Sequence, residues 1–60
     1  MKLTIEIDLP EAMRQFGIPA PEFALAEFLR QMADDASDGV FTAPDFRDTP
    51  ESWNSITVSP

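Results

Sequence analysis

The sequence predicts an α+β fold, in which a small antiparallel sheet of two or three strands is covered on one face by one long helix, with a short helix after the first strand. Residues 2 to 9 alternate strictly between polar and apolar side chains, which is typical of a half-buried strand. Residues 21 to 36 instead repeat apolar side chains at helical spacing. A second short alternation near residue 56 supplies another strand. We expect residues 1 to 60 to form one compact domain.

The first strand and the short helix follow from the opening residues of the chain. Alternation places four apolar side chains on one side of the strand: Leu3, Ile5, Ile7 and Leu9. Pro10 suits the first turn of a helix, Glu11 complements the positive end of the helix dipole, and Gly17 is placed to end the helix. Residues 18 to 21, Ile-Pro-Ala-Pro, resist helix formation and predict a short rigid connector.

The long helix is predicted from Pro21 to about Ala36, and Gly39 supplies the left-handed conformation that ends it. Phe23 lies opposite the apolar arc, and packing at the helix entry is favoured there over contact with a partner. At 100° per residue, one arc of the helix contains six apolar residues: Leu25, Phe28, Leu29, Met32, Ala33 and Ala36.

The remaining residues predict short elements separated by a loop. Residues 40 to 42 are expected to form a short strand, residues 43 to 50 a loop, and residues 55 to 59 the last strand. Thr49-Pro50-Glu51 resembles a helix cap followed by a proline at the first helical position, which predicts one helical turn before Trp53. The expected core contains ten residues: Leu3, Ile5, Ile7, Phe16, Phe28, Leu29, Met32, Phe41, Phe46 and Trp53.

Composition excludes several classes of function. The chain has eleven acidic and four basic residues, a formal charge of -7, and no Cys, His or Tyr. A disulfide framework, a thiolate metal site, a thiol nucleophile and a histidine base are therefore impossible. Because the chain is also short, we expect no enzymatic activity and no cofactor. The lack of disulfides favours the cytoplasm, and the alternating N-terminus lacks the apolar run of a signal peptide.

The segment from residue 34 to residue 45 partly matches a calcium-binding EF-hand loop. Loop positions 1, 5, 6 and 8 have suitable residues, but position 3 is Ala36 and position 11 is Pro44. Position 12 is Asp45, which is shorter than the usual bidentate Glu. No good helix follows the segment. An ordinary helix stop made of Asp and Gly is favoured, so we expect no metal site.

The acidic residues are unevenly distributed along the chain. Residues 1 to 30 have five acids and three bases, net -2, whereas residues 31 to 60 have six acids and one base, net -5. On an ideal helix, residues 27 and 34 are about 10 Å apart, a spacing comparable with that of nearby DNA phosphates. The candidate partner-binding residues are Glu27, Asp34, Asp35, Asp38, Asp45, Asp48 and Glu51.

Two interpretations of this charge remain open. Net negative charge keeps a small protein soluble, and acidic residues serve that purpose well. Alternatively, the acids mimic a phosphate backbone and occupy the Lys- and Arg-lined nucleic-acid site of a basic DNA-binding protein. Phe23, Phe46 and Trp53 are candidates for desolvated contacts if they are exposed.

In size, charge and strand-helix layout, the whole chain resembles the small acidic inhibitors encoded by bacteriophages, in particular the anti-CRISPR proteins directed at type I effector complexes. That class has no shared motif, so the nominated residues come from the charge distribution alone. The resemblance implies a stoichiometric inhibitor in the cytoplasm of a bacterial host cell. It also implies binding to a Cas subunit where the target duplex docks. We expect the protein to be a monomer that makes no direct contact with nucleic acid or membrane.

A second hypothesis is a small non-enzymatic interaction or assembly module, such as an antitoxin-like or virion accessory protein. It would act through an apolar face or an open sheet edge, since Phe is frequent and a small sheet has open edges. Acids clustered on one face favour the first hypothesis, whereas a contiguous apolar patch favours the second.

Overall fold

The computed structural model describes residues 1 to 60 and confirms the α+β prediction. Its three strands form one antiparallel sheet in the order β1-β3-β2. The elements in chain order are β1 (Lys2–Ile7), α1 (Leu9–Phe16), α2 (Pro21–Ser37), a single 3-10 turn (Val40–Thr42), β2 (Thr49–Pro50) and β3 (Asn54–Ser59).

The sheet has one apolar and one polar face. Leu3 lies opposite Val58 and Ile5 lies opposite Ile56 in the β1–β3 register. Because directly opposed residues of an antiparallel pair share a face, these four side chains lie together. The other face is formed by the intervening polar residues of β1 and β3 and by Pro50. Only the apolar face packs against the helical layer.

The first strand is shorter than predicted because Asp8 caps the helix that follows. The Asp8 carboxylate accepts a hydrogen bond from the Glu11 N–H at 3.2 Å, so β1 ends at Ile7 and α1 begins at Leu9. The predicted helix end is confirmed, since Gly17 adopts the left-handed conformation with a φ of 67°.

Helix α2 presents a different face to the core than its apolar pattern predicts. Its buried residues are Ala24, Phe28 and Met32, spaced four residues apart. Leu29 is 49% exposed and Ala33 and Ala36 face solvent, so their predicted burial is wrong. The helix is turned because α1 packs against it on one side and the aromatic residues of the C-terminal half pack near Phe28.

The core is built from Phe28, Met32 and Phe41. Trp53 makes edge-to-face contacts with Phe16 and Phe28, at centroid distances of 5.5 and 5.1 Å. Leu3 was also expected in the core but is 42% exposed, because β1 is an edge strand. Around the core lie seven partly buried residues: Ile5, Ile7, Phe16, Phe46, Trp53, Ile56 and Val58.

The C-terminal half corrects two predictions. Residues 40 to 42 form a 3-10 turn and no strand, because Gly39 enters it with a φ of 78° and Phe41 turns into the core. Thr49–Pro50 forms strand β2, where a helical turn was predicted, since a hydrogen bond from the Glu51 N–H to the Asn54 carbonyl folds this segment back onto β3. Pro50 fits because β2 is an edge strand.

Candidate functional site

Three of the predicted acids form a row along the exposed side of α2 and its C-cap. Glu27, Asp34 and Asp38 are separated by seven and four residues, which places them within about 40° of one another around the helix axis. The row extends over about 16 Å at 1.5 Å per residue. Asp34 and Asp38 are exposed, and Glu27 is half-buried. The structure thus places this part of the nominated set on one helix face.

Asp35 lies on another side of α2. It follows Met32 by three residues and Phe28 by seven, so it continues the buried row of the helix toward its C-terminus. Asp35 itself is exposed. Its carboxylate therefore borders the apolar core.

The other three nominated acids lie on the chain between the 3-10 turn and β3. Asp45 is exposed in a turn closed by a hydrogen bond from the Phe46 N–H to the Ala43 carbonyl. The Asp48 carboxylate accepts a hydrogen bond from the Val58 N–H at 3.1 Å, which extends the ladder of β3 beyond the two residues of β2. Glu51 lies in the turn between β2 and β3.

The basic residues leave most of these acids without a counter-charge. The structure contains two ion pairs, Arg14 with Glu11 and Arg30 with Glu27. A hydrogen bond from the Arg14 guanidinium lowers the pKa of Glu11. Glu27 is paired with Arg30 at 3.5 Å, so its charge is partly neutralised within the chain. Six of the seven nominated acids have no cationic partner, as is also true of Glu6, Asp8 and Glu22. We call these six the C-terminal acids: Asp34, Asp35, Asp38, Asp45, Asp48 and Glu51.

An apolar groove with an acidic border lies between α2, the 3-10 turn and the β2–β3 hairpin. Its volume is about 370 Å³, and Asp35 and Glu51 both line it. Two of the seven nominated acids, 16 residues apart in the sequence, thus meet at one groove. Seven apolar side chains also line the groove: Phe28, Met32, Val40, Phe41, Phe46, Trp53 and Ile56.

A second, shallower groove of about 310 Å³ adjoins the first, because Glu51, Trp53 and Asn54 line both. It adds two acids that the charge distribution missed, Glu6 and Asp8. Their position depends on the pairing of β1 with β3, which places Glu6 opposite Ser55. The sequence signal for Glu6 and Asp8 is the row of polar residues in the first strand. That row does not show that they lie near the β2–β3 hairpin, because this depends on the strand order.

The chemistry of the two grooves suits a cationic side chain with an aliphatic stem. The charged groups that line them are all carboxylates, and the Asn54 Oδ1 is buried without a hydrogen-bond donor. Arg and Lys pack their stems on apolar surface and place the charge beyond it, and Arg also stacks on aromatic rings. No three acidic side chains converge in an arrangement that could hold a metal ion.

Two large apolar side chains of α2 are exposed outside the grooves. Phe23 is 64% exposed, so its expected packing at the helix entry is wrong and it is available to a partner. Leu29 is 49% exposed and lies about 100° from Phe28 around the helix axis. With Ala33 and Ala36 it forms an exposed apolar stripe on that side of α2.

No helix of the structure combines the length and the apolar character needed to cross a membrane. The chain matches no protein family model, no curated protein sequence and no solved structure.

Proposed function

We propose that the protein is a non-enzymatic inhibitor that binds a basic, nucleic-acid-binding protein through the C-terminal acids. Bound there, it would occupy the site of the nucleic acid. The observation that supports this most directly is that none of the six lies within ion-pair distance of a cation, although residues 31 to 60 include one base, Arg47. A partner that supplies Lys or Arg side chains provides the missing counter-charge.

The proposed contact has two parts. The row formed by Asp34 and Asp38 presents charge along the helix, in the manner of a phosphate backbone. The groove between Asp35 and Glu51 accepts one basic side chain, whose stem packs on Trp53 and the neighbouring apolar residues. Long-range attraction then accelerates association, and the groove contact determines how long the complex lasts.

The resemblance to anti-CRISPR proteins makes a type I effector complex the first partner to test. Labelled target duplex is bound to such complexes, the protein is added, and release of the duplex is measured at low and high salt. We expect stoichiometric release that weakens as salt rises, because exposed charges more than about 10 Å apart are screened at 0.1 M salt. Pull-down from a bacterial host at the same two salt concentrations identifies the partner if type I complexes do not respond.

Charge reversal tests the residues. The triple variant Asp34→Lys, Asp35→Lys, Asp38→Lys is expected to abolish partner binding while it remains folded. Asp35→Lys alone is expected to weaken binding about tenfold or more, because it places a cation at the border of the groove. Glu22→Lys is the matched control, since it makes the same charge change on the same helix, in the first turn. Full inhibition by the triple variant, or an equal loss in the control, contradicts the proposal.

One observation favours a second candidate, an assembly module that acts through an apolar face. The stripe of Leu29, Ala33 and Ala36 has no partner within the chain. If this stripe is the binding surface, Leu29→Glu abolishes capture of the partner and reversal of the acids leaves it unchanged. The proposed inhibitor predicts the opposite result for each variant.

A further inference from the structure

The outer edge of β1 is an unpaired strand edge of six residues. Strand β1 is at one end of the strand order and pairs with β3 alone. An edge of this length exposes backbone donors and acceptors that can pair with another strand. The other edge of the sheet differs, because β2 has only two residues and one of them is Pro50. Beyond β2, the Val58 N–H of β3 already donates to the Asp48 carboxylate. β1 is therefore the edge available for pairing.

The hydrogen bonds next to β1 identify the groups that point outward. The Asp8 N–H donates to the Trp53 carbonyl at 2.7 Å, which continues the β1–β3 register by one pair. Hydrogen-bonded pairs alternate along an antiparallel ladder, so the backbone groups of Lys2, Thr4 and Glu6 point toward β3. Those of Leu3, Ile5 and Ile7 point away from the sheet. This edge presents three N–H and three carbonyl groups without a partner in the chain.

The side chains along this edge are complementary to those of a second copy of β1 that pairs antiparallel with it, with Thr4 opposite Thr4. Lys2 then lies opposite Glu6 of a second copy, and Glu6 lies opposite Lys2 of that copy. Neither charge has an ion-pair partner within its own chain. Leu3, which is 42% exposed, lies opposite Ile5 of the second copy on the apolar face. The same register brings the outward backbone groups of Leu3 and Ile5 into hydrogen-bonded positions.

A register centred on Ile5 is less favourable. It places Lys2 opposite Asp8, which lies beyond the end of β1 and whose carboxylate is engaged by the Glu11 N–H. It also places Glu6 opposite the neutral Thr4, so Glu6 has no counter-charge. Charge complementarity therefore favours the axis at Thr4.

We propose that two copies of this chain pair antiparallel through β1, about a two-fold axis at Thr4. The two sheets join into one continuous sheet, with both α2 helices on the same face. Each chain has a formal charge of -7, so the two copies repel and the dimer is weak and concentration-dependent. The contact replaces our expectation of a monomer and is independent of the proposed inhibition. Asp48 and Glu51 lie at the opposite edge of the sheet and remain free.

Sedimentation velocity and light scattering test this pairing between roughly 20 μM and 2 mM, where mass action shows a weak dimer. The wild-type mass is expected to rise from 6.7 kDa toward twice that value. Lys2→Glu and Glu6→Lys each place like charges opposite one another twice, which weakens self-association about tenfold. An equimolar mixture of the two variants restores opposite charges at both positions and forms a heterodimer of wild-type affinity.

The net charge makes Glu6→Lys the decisive variant. It changes the formal charge from -7 to -5, so general repulsion falls and non-specific association would strengthen. Pairing about Thr4 predicts weaker association instead. Glu22→Lys makes the same charge change away from the edge and is expected to leave the dimer intact or slightly stronger.

A backbone variant completes the test. Leu3→Pro removes an outward N–H and no ladder hydrogen bond, so the chain stays folded by circular dichroism but no longer pairs. Three results overturn the proposal: a wild-type protein that is monomeric throughout the range, a Glu6→Lys variant that associates as strongly as Glu22→Lys, or a Leu3→Pro variant that still dimerises.

Discussion

Replacement of Phe28 by alanine is the most direct test of how the helical layer packs. Phe28 is 5% exposed and touches the core residues Met32 and Phe41. It also packs edge-to-face on Trp53 at 5.1 Å. Buried Phe→Ala substitutions cost about 3–5 kcal/mol, of which an aromatic pair supplies about 0.5–1.5 kcal/mol. At about 0.05–0.15 kcal/mol per residue, a chain of 60 residues is stable by only about 3–9 kcal/mol. We therefore expect Phe28→Ala to lose at least about a third of the free energy of unfolding, and all of it if the wild type lies near the lower end of this range.

The matched control is Phe23→Ala on the same helix. Phe23 is 64% exposed, and surface substitutions of this kind change stability by about 0.5 kcal/mol or less. Urea unfolding followed by circular dichroism and by the fluorescence of Trp53, the single tryptophan, measures both variants. A cost below about 1 kcal/mol for Phe28→Ala, or an equal cost for the two substitutions, would refute the burial pattern of α2.

Three further substitutions test local features. Gly39→Ala forces a residue with a side chain to a φ of 78°, so we expect a loss of about 1–2 kcal/mol in urea unfolding, although Thr42 leaves room for the added methyl group. Asp48→Ala removes the acceptor of the Val58 N–H and is expected to cost about 1 kcal/mol, whereas Asp48→Asn keeps an acceptor and costs less. Glu11→Gln tests the pair with Arg14, whose hydrogen bond lowers the pKa of Glu11 in the folded state. Such a pair stabilises the fold above the unfolded pKa of about 4.3 and loses its effect as pH falls through the lower folded value. The melting temperatures of wild type and variant should therefore differ slightly at pH 7 and converge as pH falls below the folded pKa of Glu11.

Local patterns predicted the main elements of this fold because their causes are local. Alternation identified β1, and Gly17 ends α1 where predicted, through a left-handed backbone. The burial of Leu29 was predicted from apolar spacing alone. That spacing is ambiguous here, because α2 has a second row, Ala24 to Met32, and contacts with distant aromatic residues determine which row is buried.

Strand β2 could not be predicted from its own residues. Thr49-Pro50 has the composition of a helix start, and its pairing depends on the turn that joins Glu51 to Asn54. In the candidate site, too, some positions follow from local spacing and others from tertiary contacts. Asp34 and Asp38 share a helix face that spacing predicts, whereas Asp35 and Glu51 meet at one groove only because α2 and the hairpin both line it.

The acids at the end of α2 have a cost for the free protein. Asp34 and Asp35 lie in the last turns of the helix, Asp38 caps it, and no basic residue lies in the last turn. The carbonyl end of a helix is electronegative, so each of these charges destabilises α2 by about 0.3–1 kcal/mol. Reversal to lysine should therefore raise the melting temperature. A variant that loses its partner while it gains stability separates binding from folding, and it identifies these positions as ones where stability is sacrificed for function.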